Sequence, residues 1–456
     1  MTSLLKHVRL RSAAALVVAN IIGAGIFTTT GFQAQALGHP GWILALWIVG
    51  GILAFCGALC YGELGAAMPE AGGEYVYLRE TYGPAFGFMS MIVSLTAGFS
   101  AAIAAASKAF VVYLGQFFPL LLKEPAPEAM FATSDLLAVG VVWGLIAIHS
   151  ISARRGIGFN DIITLLKILG IVGIILAGFY MVAALGRGDV SNLTHIAASY
   201  HELAPGSRIS AFATSLIFVM FCYSGWNASA YIASEMNDPQ RDLPRSLLIG
   251  TGIVVVLYLG MNVFYLLGAS VEELSGHKEI GLIAGRALFG ESGASLVSVV
   301  LCVSILASAS AMTIAGPRVY YAFGSDVKAF GLLAKADERS GAPRAALALQ
   351  GIVTTIIILS GTLDQIMLYA GFTLTLTTAL AVSCVFVLRF RRPGMERPFR
   401  TWGYPFTPLL FLILSVWMMV YAIKGDYWKQ AMMGLATVLG SGVVFFVASR
   451  IAGRKS

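Results

Sequence analysis

The chain has 456 residues, of which 58% are hydrophobic and 12% charged, with a formal net charge of +7 and a mean hydropathy of +0.81. A soluble domain averages about 25% charged residues, so this chain has too few charges to keep its apolar surface in water. Lipid is the expected solvent, and the positive charge reads as a bias of membrane loops, not as a nucleic-acid surface. A crossing takes about 20 apolar residues, because about 30 Å of hydrocarbon is spanned at about 1.5 Å per residue. Twelve spans are predicted on that measure: 12–37, 41–68, 84–118, 131–152, 159–186, 207–233, 243–270, 286–322, 345–361, 363–389, 404–424 and 428–450. The ninth and tenth, and the eleventh and twelfth, are separated by very short loops.

The first span follows a basic start (Lys6, Arg9, Arg11), and its run from Ser12 to Leu37 is too long for a cleaved signal peptide. Inside it lies Asn20-Ile21-Ile22-Gly23-Ala24-Gly25-Ile26-Phe27, where two glycines among β-branched residues weaken the helix by about 1 kcal/mol each against alanine. The second span carries Glu63 near its end, expected to pair with an arginine. Lys108, among alanines and serines of the third span, reads as a lysine snorkelling outward. Lys167 lies well inside the fifth span, where an ionisable side chain by default marks function. It is either a proton carrier, or a fixed cation standing where a sodium ion would sit, or a lysine snorkelling to the nearby interface.

The sixth span holds the second weak point, Phe221-Cys222-Tyr223-Ser224-Gly225-Trp226-Asn227, and closes on Glu235, again a candidate partner for an arginine. Irregular backbone at mid-membrane is tolerated only where it is buried in protein or faces a cavity. Gly-x-Gly alone fits tight helix packing better than a break. Corresponding placement in the first and sixth spans, with a polar cluster in one of them, favours two broken helices. The broken ends would offer N–H donors on one side and carbonyls on the other, which match a carboxylate and an ammonium. The fifty glycines fit close packing of membrane helices.

With the N-terminus placed in the cytoplasm, 21 of the 30 lysines and arginines fall on the cytoplasmic side and 7 on the other, Lys108 and Lys167 being inside spans. Both ends are therefore expected in the cytoplasm of a cell-membrane protein. The five cysteines (Cys56, Cys60, Cys222, Cys302, Cys384) fall inside spans, so no disulfide framework is expected. The six histidines lie at span ends or in loops without metal-ligand spacing. No P-loop, Gly-x-Ser-x-Gly elbow or His-Glu-x-x-His occurs, so neither an enzyme, nor a cofactor, nor a metal is expected.

Several segments together resemble the amino acid–polyamine–organocation superfamily, and most closely its L-type amino acid transporter branch with bacterial relatives. They are Ile21–Phe27, Tyr61-Gly62-Glu63-Leu64-Gly65 with Pro69, Gly72-Gly73-Glu74-Tyr75 and Tyr77, Tyr223–Asn227, and Glu235 through Pro244. The resemblance runs over nearly the whole chain. It implies an all-α, LeuT-like fold of about twelve transmembrane helices: a 5+5 inverted repeat with discontinuous helices 1 and 6, plus two peripheral helices. The transport core would be residues 1–389, with repeats at roughly 12–186 and 207–389, and residues 390–456 would hold the peripheral pair. By the same resemblance, a substrate carboxylate would meet the N–H groups of Gly23, Ala24 and Gly25. Its ammonium would meet the carbonyls of Ile21 and Phe221, with Cys222 and Ser224 close by and Asn227 lining the same region. Phe221 would close over the substrate, and Lys167 would replace a sodium site.

Two departures matter. Ala24 stands where many L-type members have serine, and no cysteine occurs from Pro119 to Met130, so no disulfide-linked ancillary subunit is expected. The short termini fit a prokaryotic member. The expected function is sodium-independent secondary transport of small neutral L-amino acids by alternating access, with exchange and proton coupling both open. No acidic residue lies in either break, which disfavours the alternative of cationic amino acids or polyamines. A channel is the rival of a different class, and saturable counterflow would separate it from a carrier.

Overall fold

The computed structural model describes residues 8–70, 72–122, 131–151, 153–326, 330–335, 337 and 342–453, with no β-strand among them. Lys6, Lys123, Lys328, Arg339, Arg454 and Lys455, which entered the charge asymmetry, lie outside the described residues. Helices α1 (Leu10–Ile21) and α2 (Thr29–Leu37) share the first span, and α3 (Pro40–Ala67) is the second. The short α4 (Glu74–Tyr82) leads to α5 (Pro84–Val93) and α6 (Ala101–Leu114), joined by a π-helical stretch at Ser94–Ser100. The fourth and fifth spans are α7 (Thr133–Ile151) and α8 (Ala153–Leu185). After the short α9 (Ala198–Glu202), α10 (Pro205–Tyr223) and a 3-10 stretch at Ala228–Glu235 make the sixth. The seventh and eighth are α11 (Pro239–Gly268) and α13 (Ile280–Asp326), with the four-residue α12 (Val271–Leu274) between them. The last four are α14 (Arg344–Ser360), α15 (Leu363–Arg391), α16 (Phe406–Lys424) and α17 (Trp428–Gly453).

Among the described residues, ten helical segments are long and apolar enough to cross a membrane, and α1 and α14 are shorter apolar helices. Large side chains such as Leu169, Val256, Leu296 and Val443 stand exposed, as a lipid-facing surface requires. The predicted spans match these elements except at some ends. The eighth starts at Ile280, not 286, and is kinked at Gly290, whose φ of +75° separates residues 280–289 from the rest; Arg286 pairs with Glu291 across that kink at 2.6 Å. Proline at the first helical turn opens α3, α5, α10 and α11, where its missing N–H leaves no unmet bond. The first span packs on α11, α11 also packs on α3, and α13 packs on α6 and α8. The last two helices lie against α15, α10 and α5.

Both weak points are breaks. The first leaves helical geometry at Ile22 and resumes at Gly25. The second leaves it at Ser224, and Gly225 has φ +96°, a conformation open mainly to glycine. The two breaks touch: a Cβ on Gly225 would lie 3.1 Å from the carbonyl of Asn20, and one on Gly25 would lie 2.4 Å from Cys222 Sγ. Small residues at both places let the two backbones meet at mid-membrane.

Several charges within the bundle are paired. Arg389 grips Glu63 with two bonds, Nε to Oε1 at 2.9 Å and Nη2 to Oε2 at 2.6 Å, and the Thr401 N–H donates to Oε2 at 2.7 Å. Glu235 stands 3.7 Å from Arg318. Lys108 has a partner that the sequence did not suggest: Asp135, in the first turn of α7, at 2.5 Å. A partner on a neighbouring helix removes the drive to reach water, and hydropathy alone does not show which helices meet.

Two stability outcomes follow from these contacts, both read by thermal denaturation in detergent. Glu63→Ala strands the Arg389 charge and a buried N–H, and should lower stability by about 3 kcal/mol or more. Glu63→Gln, which keeps an acceptor for Thr401, should lose less. Gly225→Ala should lower stability by about 1–3 kcal/mol, through the strained φ and the crowding against Asn20. A melting temperature equal to wild type for either alanine variant would contradict the corresponding contact.

Candidate functional site

A helix that stops inside a membrane leaves its last carbonyls without intrahelical partners. At the end of α1 three of them find side chains. Lys167 Nζ, on a fully buried residue of α8, donates to Ala19 O at 2.6 Å and Ile22 O at 3.0 Å. It also donates to Ser308 Oγ of α13 at 3.1 Å, and Ser308 in turn donates to Ile22 O. Tyr258 of α11 donates to Ile21 O at 2.7 Å and is 3.0 Å from Cys222 O, so one hydroxyl bridges both breaks. No carboxylate pairs with Lys167 among the described residues. Its Nζ faces carbonyl dipoles at the negative end of a half-helix.

The other half of the first span is held as firmly. Phe27 O accepts from Tyr113 at 2.6 Å, and Thr30 donates to Asn262 Oδ1 at 2.6 Å. Between the halves, the N–H groups of Ala24 and Gly25 make no hydrogen bond to a backbone carbonyl among the described residues. They are donors at the start of a helical segment, suited to an anion. Phe221 O accepts from the Ser224 N–H at 3.0 Å, and like Ile21 O it keeps a second lone pair.

A cavity opens beside the breaks, lined by Asn20, Ser224 and Asn227 together with Phe99, Met220 and Met312. Of the candidate residues, Ser224 and Asn227 line it. Ile21, Gly23, Ala24, Gly25, Phe221 and Cys222 do not, and all of these except Gly23 are buried by packing. The break residues are thus brought to one place, with backbone donors and carbonyls behind the wall of a cavity of mixed polar and apolar lining. No cluster of metal-ligating side chains occurs among the described residues.

The cavity also holds a residue that sequence reasoning did not assign a role. Glu74, at the first position of α4, lines it with a carboxylate that accepts from Tyr61 at 2.9 Å, Asn227 at 2.5 Å and Tyr231 at 2.6 Å. Asn227 is therefore turned toward a carboxylate within the protein. Glu74 stood in plain view in the Gly72-Gly73-Glu74-Tyr75 segment, but lies outside the apolar spans, where a charge draws no notice. Ser308 was equally visible as one of three serines in an apolar stretch (Ser304, Ser308, Ser310), whereas Tyr258 carried no signal of its own.

Residues 9–443 match the amino acid permease family. Among characterised proteins, the chain is 29% identical to the human b(0,+)-type amino acid transporter 1, over 98% of this chain and 88% of the human protein. It is 28% identical to the mouse form over the same shares. It is 26% identical to the mouse large neutral amino acids transporter small subunit 2, over 98% of this chain and 81% of that protein. The broken helices, the paired backbone donors and carbonyls between them, and a family match over nearly the whole length agree: the chain belongs to the amino acid permease family, within the amino acid–polyamine–organocation superfamily.

Proposed function

We propose that this amino acid transporter is a sodium-independent secondary carrier of small neutral L-amino acids working by alternating access. The observation that carries the proposal is the Lys167 ammonium, held by Ala19 O, Ile22 O and Ser308 Oγ at the end of α1. A fixed cation on carbonyls and a hydroxyl takes the place that a sodium ion would need, so the broken helix has its positive partner without an ion from solution. The substrate carboxylate is assigned to the N–H groups around Gly23, Ala24 and Gly25, and its ammonium to the second lone pairs of Ile21 O and Phe221 O. The bulk of Phe99, Met220 and Met312 in the cavity wall supports a small side chain.

Neutral substrates are favoured because Glu74 already accepts three hydrogen bonds. The name of one relative, a transporter of large neutral amino acids, points the same way for charge. Cationic amino acids are the alternative that the Glu74 carboxylate itself supports. Inverted repeats at roughly 12–186 and 207–389, with α16 and α17 peripheral, are the arrangement proposed for the core. By the lysine and arginine bias, both termini are assigned to the cytoplasm of a cell-membrane protein.

The test is uptake of labelled alanine into proteoliposomes, empty or preloaded with unlabelled alanine, with a competing panel that includes arginine. Saturable uptake stimulated by internal substrate is expected of a carrier, with alanine and serine competing and arginine failing. Lys167→Ala should reduce uptake at least about tenfold, since Ala19 O loses its side-chain donor and Ile22 O keeps only Ser308. Exchange predicts no flux into empty vesicles, whereas proton coupling predicts uptake driven by a pH gradient. Conductance without counterflow, or flat uptake across the panel by folded protein, would overturn the assignment.

A further inference from the structure

The hydrogen bonds around Glu74 determine more than its own position, because they leave the Asn227 amide a single orientation. Asn227 Nδ2 donates to Glu74 Oε1 at 2.5 Å and to Tyr231 Oη at 3.2 Å. Tyr231 has one proton, and gives it to Glu74 Oε2 at 2.6 Å, so toward Asn227 its oxygen can only accept. Tyr61, from α3, donates to Oε1 at 2.9 Å and keeps that oxygen an acceptor. With Glu74 ionised, turning the amide over would set Oδ1 against a carboxylate oxygen and against a phenol oxygen whose proton is committed. Both contacts would be acceptor against acceptor. The amide nitrogen is thus fully engaged, while Oδ1 accepts no hydrogen bond among the described residues, and Asn227 lines the cavity.

We propose that Glu74 is a positioning residue for side-chain selectivity: it locks the Asn227 amide so that Oδ1 is the group left for a ligand, and the site favours amino acids with a hydroxyl or thiol donor on the side chain. This rests on the proposed substrate site, in which the backbone of the two breaks takes the ammonium and carboxylate and leaves Asn227 to the side chain. An isostere without the donor leaves Oδ1 unpaired in a closed site and binds less well. The chemistry selects threonine over valine, and serine over O-methylserine, which carries an oxygen but no proton to donate.

The experiment is competition against labelled alanine in proteoliposomes of the full chain, comparing those two pairs. In wild type each ratio should be roughly three- to tenfold in favour of the donor, the range of one net hydrogen bond. In Glu74→Gln the facing amide can present a donor or an acceptor, Asn227 is free to turn, and both ratios should fall toward one. Tyr231→Phe, which removes one of the two acceptors of the amide, should lower them partway and serves if the glutamine variant does not fold. A purely structural role for Glu74 would change protein yield or overall uptake while leaving the ratios intact. Equal binding of threonine and valine in wild type, or unchanged ratios in folded Glu74→Gln or Tyr231→Phe protein, would overturn the inference alone. Failure of every amino acid to compete would overturn the substrate site beneath it as well.

Discussion

Ending a helix in the middle of a membrane exposes carbonyls that neither water nor the helix can satisfy, and each would be several kcal/mol unfavourable if left alone. Lys167 answers that constraint at the end of α1 by donating to Ala19 O and Ile22 O from a fully buried position. The ammonium is itself expensive in hydrocarbon, so the lysine and the broken helix each make the other tolerable. Ser308 joins them to α13, and Tyr258 ties Ile21 O and Cys222 O to α11. The first break is thereby linked to three other helices. Movement of α1 away from this position would have to break several short bonds at once, which suits a helix with two discrete positions better than one that drifts.

Glu74 does comparable work from outside the spans. It joins α3, through Tyr61, to the second half of the broken sixth helix, through Asn227 and Tyr231. The two breaks therefore differ in kind. The first is closed by the Lys167 amine on carbonyls. The second is bordered by a carboxylate on donors, next to a cavity where Ser224 and Asn227 are the candidate residues within reach of a ligand. Ala24 and Gly25, whose N–H groups make no backbone hydrogen bond among the described residues, lie in the first break.

Much of the fold was legible because its signals are local. Apolar run length located the spans, and Gly23-Ala24-Gly25 and Ser224-Gly225 marked the places where helix gives way. Partners were not legible, because they depend on which helices meet. Lys108 shows this most clearly: among alanines it looked like a snorkelling side chain, yet Asp135, on the next span, neutralises it at 2.5 Å. The start of α13 also differed, because the helix is kinked at Gly290 and a short stretch that carries Arg286 precedes the kink. Glu74 escaped notice because a carboxylate beyond a span end is ordinary in sequence, and only the fold turns it into the cavity. Asn227 was visible as a polar residue beside a break, but its orientation toward Glu74 was not.

The central claim is that a lysine, not a dissolved ion, completes the first break. Equilibrium binding of labelled alanine to purified protein, in sodium-free choline buffer and across a sodium titration, tests it most directly. Superimposable saturation curves at every sodium concentration are predicted. Saturable binding that appears only when sodium is added would contradict the claim.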